Sequence, residues 1–330
     1  MPSFQSSLAH TFPPKPQFTE RDIPDLEGKV YIVTGSNTGI GKEVSRLLYS
    51  KNAKIYIAAR SETKAQQAIN DIKESAPSSA GSLVFLQLDL SDLRNVKAAA
   101  EKLLAQEQRL HSLFNNAGLM GSEPLQKTTQ GYEVSLGVNC VGTFLFTKLL
   151  TPILAATAKA PLPSTVRVIW LSSFVCELHA HEGIGVSTDN LDYHTPVRAA
   201  TRYSLSKAGV WALGVEYGRR HGQGKDGIVS VAINPGNLRS ELQRDQGLLF
   251  KILTRLLLYP TINGAYTELY AAFSPEVVEA DLSENWVGPF GRILSLRPPL
   301  PKATKPESEG GTGGTAKFWE WNEEQVKDYL

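Results

Sequence analysis

Cysteine is scarce in this 330-residue sequence, which contains only Cys140 and Cys176. Two cysteines are too few for a disulfide framework or a cysteine-rich zinc site, and such scarcity is typical of a reducing compartment. The N-terminal segment also lacks the charged start and apolar stretch of a secretory signal. We therefore expect an intracellular, cytoplasmic protein.

An excess of charge of one sign is missing as well. The 34 Lys and Arg residues balance 33 Asp and Glu residues, which gives a formal net charge of +1. Because binding to a phosphate backbone needs an excess of cations, we expect no nucleic-acid partner. Apolar stretches such as 247–259 are short and are interrupted by Lys251 and Arg255, so we expect no transmembrane segment.

Short apolar runs alternate with longer helix-like segments over most of the chain. The apolar runs are 30–34, 54–59, 83–88, 110–114, 166–171 and 228–233. The helix-like segments are 40–50, 63–75, 95–108, 131–156 and 202–220. Near-continuous apolar strands separated by helices predict a parallel sheet with helices on both faces, which is a doubly wound α/β fold.

Composition divides the chain into three parts. Residues 1–27 are polar and proline-rich and are expected to form an arm outside the core. Residues 28–301 are expected to form a single domain. Residues 302–330 contain a Gly-rich linker followed by Trp319 and Trp321. Two interpretations of this tail stay open, namely docking onto the body or a partner, and a partly ordered terminus.

A glycine-rich turn joins the first predicted strand to the first predicted helix. Gly35 permits the tight turn, Gly39 lets a pyrophosphate approach the backbone, and Gly41 allows close helix–strand packing. The candidate cofactor contacts are Gly35, Ser36, Asn37, Thr38, Gly39, Ile40 and Gly41. Their spacing departs from the common Gly-x-Gly-x2-Gly, but their position predicts a dinucleotide site. An ordinary glycine-rich turn is the alternative.

The end of the second predicted strand carries a basic residue where an NAD site usually has Asp or Glu. Arg60 stands at this position, and Lys64 follows one helical turn later. A guanidinium can bind a 2′-phosphate in a bidentate manner, whereas a carboxylate would repel it. The two cations therefore favour NADP(H) as the cofactor. The alternative is that both are solvated surface charges.

Four residues suited to carbonyl chemistry follow in chain order. Ser172 and Ser173 end the fifth predicted strand, and Tyr203 and Lys207 lie on one face of a predicted helix. Tyr203 can act as general acid or base because a nearby ammonium favours the phenolate. A serine hydroxyl can stabilise the forming alkoxide. Successive strand side chains point to opposite faces, so only one of the two serines can serve.

These motifs together resemble the short-chain dehydrogenase/reductase family, and they are most similar to its retinol-dehydrogenase-like and fungal metabolite-reductase members. The resemblance covers roughly residues 26–292. It implies a Rossmann-type fold with about seven parallel strands, the last near 286–290. It also implies that Ser173 is the catalytic serine and that Asn139 completes a catalytic tetrad through a water and Lys207.

The resemblance implies further cofactor contacts along the chain. They are Asp89 and Leu90 at the adenine, Asn116, Ala117 and Gly118 beside the cofactor, Lys148 nine positions after Asn139, and Pro235, Gly236, Leu238 and Ser240 near the nicotinamide. Ser240 replaces the more usual Thr, but a hydroxyl is retained. Tyr203 and Lys207 are counted among the cofactor contacts as well.

Two segments border the expected substrate site. The stretch between Ser173 and Tyr203 is longer than in the simplest family members, and its His and Asp residues have no metal-ligand spacing, so we expect no metal. The apolar segment 241–262 is expected to form a lid over a hydrophobic substrate. Peripheral membrane contact through this segment is the alternative. The long helices 131–156 and 202–220 often build dimers in the family, so a homodimer is an open expectation.

The resemblance implies an NADP(H)-dependent oxidoreductase that interconverts a ketone or aldehyde and an alcohol on a hydrophobic small molecule. Reduction in secondary metabolism is the expected direction and setting. Two alternatives stay open. One is a non-redox step on the same scaffold, such as epimerisation, dehydration or cyclisation, and the other is a non-catalytic NADP-sensing protein.

Overall fold

Eight strands form a single sheet in the computed structural model, which describes residues 4–159, 166–239 and 258–330. The strands are β1 (Val30–Thr34), β2 (Lys54–Ala59), β3 (Ser82–Gln87), β4 (Ser112–Asn115), β5 (Arg167–Leu171), β6 (Val229–Ile233), β7 (Asn285–Gly288) and β8 (Arg292–Ser295). Their order is β3-β2-β1-β4-β5-β6-β7-β8, and all neighbouring pairs except β7–β8 are parallel.

Helices cover both faces of this sheet. Numbered over the described residues, they are α1 (Phe4–Thr11), α2 (Gly39–Tyr49), α3 (Glu62–Ser75), α4 (Leu93–Leu104), α5 (Val134–Ala158), α6 (Val175–His179), α7 (Ala199–His221), α8 (Thr261–Phe273), α9 (Glu276–Glu279) and α10 (Gly314–Val326). One hydrophobic core includes α4, α5, α7 and α10, and a second includes α2, α3, α8 and α9. The expected doubly wound Rossmann-type fold is therefore confirmed.

The alternation of side chains along the strands explains why these runs are apolar throughout. In β1, Val30 and Ile32 belong to the first core, while Tyr31 and Val33 belong to the second. A strand covered on both faces needs apolar residues at every position, not at every second one. The same arrangement recurs in β2, where Ile55 and Ile57 lie on the side opposite to Tyr56.

The strand count differs from the expected seven, because an antiparallel strand is added at the edge. Gly288 ends β7 and pairs with Arg292, which begins β8. The chain reverses through Phe290 and Gly291, which have φ of 68° and 81°. This tight turn makes a hairpin, and its second strand is only four residues long. So short a run gives little periodicity from which a strand can be predicted.

Described segments near both ends of the chain pack against the body. In the N-terminal segment, which was expected to lie outside the core, Leu26 and His10 are both buried, with 2% of their surface exposed. The tail forms α10, in which Phe318 and Trp319 are buried in the first core. The Gly-rich stretch before it turns through Gly310 and Gly313 at positive φ. The tail therefore lies on the domain that carries the candidate site.

One helix of the described part is long and apolar enough to span a membrane by length and composition. It is α5, with a mean hydropathy of 1.5 over its most apolar window. In the fold, 67% of that window is buried against other elements. This burial is the property of a core helix, since a helix that is hydrophobic all round is buried in either setting.

Candidate active site

A cavity of about 330 Å³ opens at the carboxyl ends of β1, β2 and β4. Its described lining consists of Thr34, Gly35, Asn37, Thr38, Gly39, Ile40, Ala58, Ala59, Arg60, Ser61, Lys64, Leu88, Asp89, Leu90, Asn116, Ala117, Gly118, Leu119, Met120, Val138 and Leu171. Twelve of the predicted cofactor contacts are in this set: Gly35, Asn37, Thr38, Gly39, Ile40, Arg60, Lys64, Asp89, Leu90, Asn116, Ala117 and Gly118. Parallel strands end here on one edge, which is where doubly wound folds bind ligands.

The glycine-rich turn owes its shape to two residues with positive φ. Gly35 has φ of 67°, and Gly39 has φ of 60° at the first position of α2. No described atom lies within 4 Å of the place where a Cβ on Gly39 would stand, so the backbone there faces open space. The N-terminal N–H groups of a helix are a ready anion site. A cofactor diphosphate fits this open backbone.

Asn116 holds the turn against the end of β4. Its side-chain amide donates to the carbonyl oxygen of Thr34 at 2.7 Å, and the Thr34 hydroxyl oxygen accepts from the backbone N–H of Ala117 at 2.9 Å. A Cβ on Gly41 would lie 2.5 Å from this amide and 3.0 Å from the Gly35 backbone oxygen, so a side chain there would displace the Asn116 amide. Gly41 therefore packs closely against the turn and is not part of the described cavity lining.

Arg60 and Lys64 lie at the end of the cavity formed by β2 and α3. Both side chains are exposed, and within the described chain neither forms an ion pair with a carboxylate. Ser61 caps the N-terminus of α3, and its side-chain oxygen accepts from the backbone N–H of Lys64 at 3.4 Å. Two unpaired cations on a cavity wall favour an anionic group at this end.

Lys207 and Asn139 meet beside Gly118. The Lys207 ammonium donates to the backbone oxygen of Leu171 at 2.7 Å. A Cβ on Gly118 would lie 3.0 Å from this ammonium and 3.4 Å from the Asn139 amide oxygen. The absence of a side chain at Gly118 therefore lets both groups reach one point at the end of β4 and β5.

Asn139 belongs to a π-helical turn, Gly137–Gly142, within α5. Its amide oxygen accepts from the backbone N–H of Leu119 at 2.9 Å, and its amide nitrogen donates to Ser206 Oγ and to the Leu119 carbonyl at 2.9 Å. Such π turns occur frequently at functional sites. The side chain thus ties the loop after β4 to the helix that carries Lys207.

Burial governs the protonation of the Tyr203–Lys207 pair. It raises the pKa of Tyr203 to about 12 and lowers the pKa of Lys207 to about 8. The ammonium lies 5.9 Å from the centre of the tyrosine ring. The sequence argument expects the ammonium to favour the phenolate. In the structure, desolvation by burial dominates instead and keeps the phenol protonated.

The two serines after β5 have different surroundings. Ser172 is buried, and its hydroxyl donates to the backbone oxygen of Lys207 at 2.8 Å. Ser173 is partly exposed, and among the described residues its oxygen accepts only a long contact from the N–H of Val175, at 3.5 Å. Since the Ser172 hydroxyl is already engaged, the hydroxyl free for a substrate is that of Ser173. This placement supports the choice of Ser173.

The segment after β6 reaches over the glycine-rich turn. Gly236 has φ of 90°, and its N–H donates to the Asn234 side-chain oxygen at 3.1 Å. A Cβ on Gly264 in α8 would lie 2.2 Å from Leu238 and 3.2 Å from Ile40, so these two side chains lie close together. Pro235 is buried in the same segment. Ser240 and most of the predicted lid, residues 241–257, lie outside the described residues.

Two predicted cofactor contacts point elsewhere. Lys148 forms an ion pair with Glu323 of α10, and the described lining of the cavity does not include it. Lys148 lies on the side of α5 that faces α10, and Glu323 is its neighbour there. Ser36 is completely buried and donates to the backbone oxygen of Val33 at 2.7 Å. It therefore stabilises the turn rather than facing the cavity.

Sequence reasoning missed a buried ion pair next to Tyr203. The Arg202 side chain is 3% exposed, with Glu123 at 3.0 Å and Glu133 at 3.5 Å. Its guanidinium also donates to the backbone oxygen of Val197. These contacts fix the start of α7 to the loop after β4. The signal was weak, because an Arg before the tyrosine is usually read as surface charge.

Sequence reasoning also missed the contacts of α1 with the substrate side of the site, which is formed by the residues next to Ser173 and Pro235. His10 stacks on Phe174 with ring centres 4.5 Å apart, and its Nδ1 lies 3.0 Å from the Asn234 amide nitrogen. Phe174 follows Ser173, and Asn234 precedes Pro235. Burial lowers the pKa of His10 to about 4, with a smaller effect from Arg292. No sequence pattern links residue 10 to these distant strand ends.

Metal chemistry has no support in the part of the chain that the structure describes. No group of three or more His, Cys, Asp or Glu side chains there could hold a metal ion. In the insert before Tyr203, His194 contacts Asp192 at 2.6 Å, and Asp189 accepts from the Ser187 hydroxyl at 2.6 Å. These polar contacts are local and lie within the loop itself.

Comparisons with known proteins agree with this geometry. A family model for short chain dehydrogenases matches residues 29–180. A short-chain dehydrogenase/reductase from Phomopsis amygdali is 52% identical over 99% of this chain and 98% of its own length. The short-chain dehydrogenase/reductase bet4 from Neocamarosporium betae is 49% identical over 98% of this chain and 94% of its own length.

Solved structures show the same architecture. An uncharacterized protein from Mycobacterium paratuberculosis matches with a TM-score of 0.66 and 25% identity, over 94% of this chain and 97% of the other. RhlG from Pseudomonas aeruginosa, solved as an active-site complex with NADP, matches with a TM-score of 0.52 and 25% identity. That match covers 67% of this chain and 77% of the other.

Proposed function

Because this chain belongs to the short-chain dehydrogenase/reductase family, whose members are oxidoreductases, we propose that it is an NADP(H)-dependent carbonyl reductase. It reduces a ketone or aldehyde on a hydrophobic small molecule to the alcohol, as a step in secondary metabolism. The observation that carries the proposal is the meeting of Lys207 and Asn139 at Gly118, which borders the cavity. A protonated Tyr203 lies one helical turn from Lys207.

The reaction needs a hydride, which NADPH supplies when it is bound, and a proton for the oxygen of the carbonyl group. The Tyr203 hydroxyl donates this proton as general acid. The Ser173 hydroxyl donates a hydrogen bond to the same oxygen while negative charge develops on it. The Lys207 ammonium then stabilises the phenolate that is left behind. Asn139 keeps Ser206, the residue before Lys207, in place.

The protonation state supports the reductive direction. Burial holds the pKa of Tyr203 at about 12, so the phenol carries its proton at neutral pH. A general acid must be protonated at the start of its step, whereas a general base must not. The phenol is therefore in the form that reduction uses, and oxidation would first require removal of this proton.

Charge at the cavity wall supports NADP(H) over NAD(H). The exposed cations Arg60 and Lys64 stand where a carboxylate would hold a ribose hydroxyl, and both line the cavity. A 2′-phosphate provides acceptors that match the guanidinium in a bidentate manner. RhlG, a structural neighbour, was solved with NADP. We infer that Arg60 is the principal contact to the 2′-phosphate.

The function is tested with a panel of apolar ketones and aldehydes assayed with NADPH. We expect turnover by the wild type and a loss of about 100-fold or more in kcat for Tyr203→Phe, since general acid catalysis contributes about 10²–10⁴-fold. NADPH binding, measured by fluorescence, should be retained in this variant. Full activity of Tyr203→Phe would contradict the mechanism. Product formed without consumption of NADPH would favour the non-redox alternative, and binding without any turnover would favour a sensor.

The cofactor choice is tested by reversing the charge at position 60. In Arg60→Asp, we expect the KM for NADPH to rise about 10- to 100-fold, because a charged hydrogen bond is worth about 1.5–3 kcal/mol. The KM for NADH should stay the same or fall. Arg94→Asp is the matched control, since Arg94 is exposed and lies outside the cavity lining. Equal use of NADH and NADPH by the wild type would overturn the assignment.

A further inference from the structure

The helix that carries Lys207 crosses α5 at a point where both backbones come close. Asn139 donates to Ser206 Oγ at 2.9 Å, and the Cys140 thiol donates to the Ser206 backbone oxygen at 3.1 Å. Gly209 in α7 lies beside them, and a Cβ there would stand 2.7 Å from Cys140 Sγ. We call this contact of Asn139 and Cys140 with Ser206 and Gly209 the helix crossing.

A side chain from the distant tail fills this crossing. Phe318 in α10 is completely buried, and two of its ring carbons would lie 2.9 Å from a Cβ on Gly209. Because position 209 is a glycine, the ring can approach both the α7 backbone and the Cys140 thiol. Gly209 is only two residues from Lys207, so the ring packs against the same turn of the catalytic helix.

Contacts to both catalytic helices hold α10 in this position. Toward α7, the Thr315 hydroxyl donates to the buried Glu216 at 3.3 Å, and the Arg220 guanidinium lies 5.1 Å from the Trp319 ring. Toward α5, Trp319 packs edge-on against Phe144 at 4.7 Å. The helix is therefore fixed on either side of Phe318, and the ring cannot leave the crossing without breaking these contacts.

We propose that Phe318 is a positioning residue for the reduction: by filling the helix crossing, it fixes Asn139 against Ser206 and so sets the position of Lys207. This role rests on the proposed function, whereas the packing of Phe318 in the helix crossing is independent of that function. Removal of the ring leaves a void bounded by Cys140 and Gly209. Close-packed interiors relax only in part around such a void, so α7 and α5 gain freedom to move against each other.

The test compares Phe318→Ala with Val326→Ala in the full chain. Val326 is also completely buried in α10 but lies more than two helical turns from Phe318. We expect Phe318→Ala to lower kcat about 10- to 100-fold, because small misplacements of catalytic groups have effects of this size. The KM for NADPH should change less than kcat, and Phe318→Leu should recover most of the activity. Val326→Ala should keep kcat near that of the wild type.

A readout independent of turnover follows from the buried thiol. Cys140 is completely buried, and burial raises its pKa, so it should resist alkylation in the wild type. Mass spectrometry after alkylation of the native protein should show faster labelling of Cys140 in Phe318→Ala and in no other variant. Cys176, also buried, is the internal control.

Each outcome decides the proposal. Faster labelling of Cys140 together with a lower kcat in Phe318→Ala supports it. If Phe318→Ala does not fold, a partial loss of kcat in Phe318→Leu supports it as well. Equal losses of kcat in Phe318→Ala and Val326→Ala would reduce Phe318 to a stabilising residue and overturn the proposal. Absence of turnover in the wild type would reject the proposed function, whereas the labelling comparison would still report on the crossing.

Discussion

A carboxyl group in the core lies close enough to Lys207 to interact with its charge. Glu268 in α8 is completely buried, and neither oxygen has a hydrogen-bond partner among the described residues. Burial raises the pKa of Glu268 from its ordinary value of 4.5 to about 8, and the positive charge of Lys207 opposes this shift more weakly. Between these pH values the carboxyl is protonated in the folded chain and ionised in the unfolded chain.

Stability should therefore fall as the pH rises from 5 to 8, because the unfolded state then binds fewer protons than the folded state. The slope from this one group reaches up to about 1.4 kcal/mol per pH unit. We expect Glu268→Gln to remove this slope and to stabilise the protein at pH 8 more than at pH 5. Denaturant unfolding of wild type and variant at both pH values measures the effect, with the exposed Glu279→Gln as control. Parallel pH dependence in all three would contradict the assignment.

At the scale of elements, α1 joins the N-terminal segment to the substrate side of the site. His10→Ala removes the stacking on Phe174 and the contact with Asn234, which together are worth about 2 kcal/mol. We expect a lower Tm and a higher KM for the carbonyl substrate, with little change in the KM for NADPH, because α1 does not line the cofactor cavity. Phe12→Ala, at an exposed position beside the same helix, should leave both constants unchanged.

The pH dependence provides a second measurement on α1. Burial lowers the pKa of His10 from its ordinary value of 6.5 to about 4. The neutral ring is therefore favoured in the folded chain, and its contribution is present above pH 6.5 and is lost as the pH falls toward 4. The difference in stability between wild type and His10→Ala should shrink over this interval. A constant difference would show that the pKa of His10 is the same in the folded and unfolded chains, and would contradict the effect of burial.

Elements with strong local patterns were predictable from the sequence, and those that depend on tertiary contacts were not. The run 30–34 is apolar at every position and matches β1 at both ends. The glycine-rich turn was predictable because Gly35 and Gly39 need positive φ. The seating of Phe318 in the helix crossing was not, since nothing local in the tail marks Gly209 as its partner. The low pKa of Lys207 likewise comes from burial that only the folded chain creates.

At the scale of the whole molecule, the tail determines whether the face formed by α5 and α7 is open to contact with another molecule. This face includes Phe144 and Tyr217, and α10 covers it with Trp319, which lies 4.7 Å and 6.2 Å from their rings. The family resemblance left open a homodimer through these two helices. In the structure, α10 of the same chain covers this face. Without α10 the face would be an exposed apolar patch, and such a patch marks an interaction site.

We therefore expect the full chain to be monomeric in solution and a chain ending at residue 313 to self-associate. Removal of α10 uncovers Phe144, Tyr217 and the α5 helix, whose apolar window has a mean hydropathy of 1.5. Sedimentation velocity over a range of concentrations distinguishes the two states. Glu323→Gln is the control, because it breaks the ion pair with Lys148 but retains the helix, and it should stay monomeric. A full-length dimer that resists dilution, or a truncated chain that remains monomeric, would show that α10 does not shield this face from association.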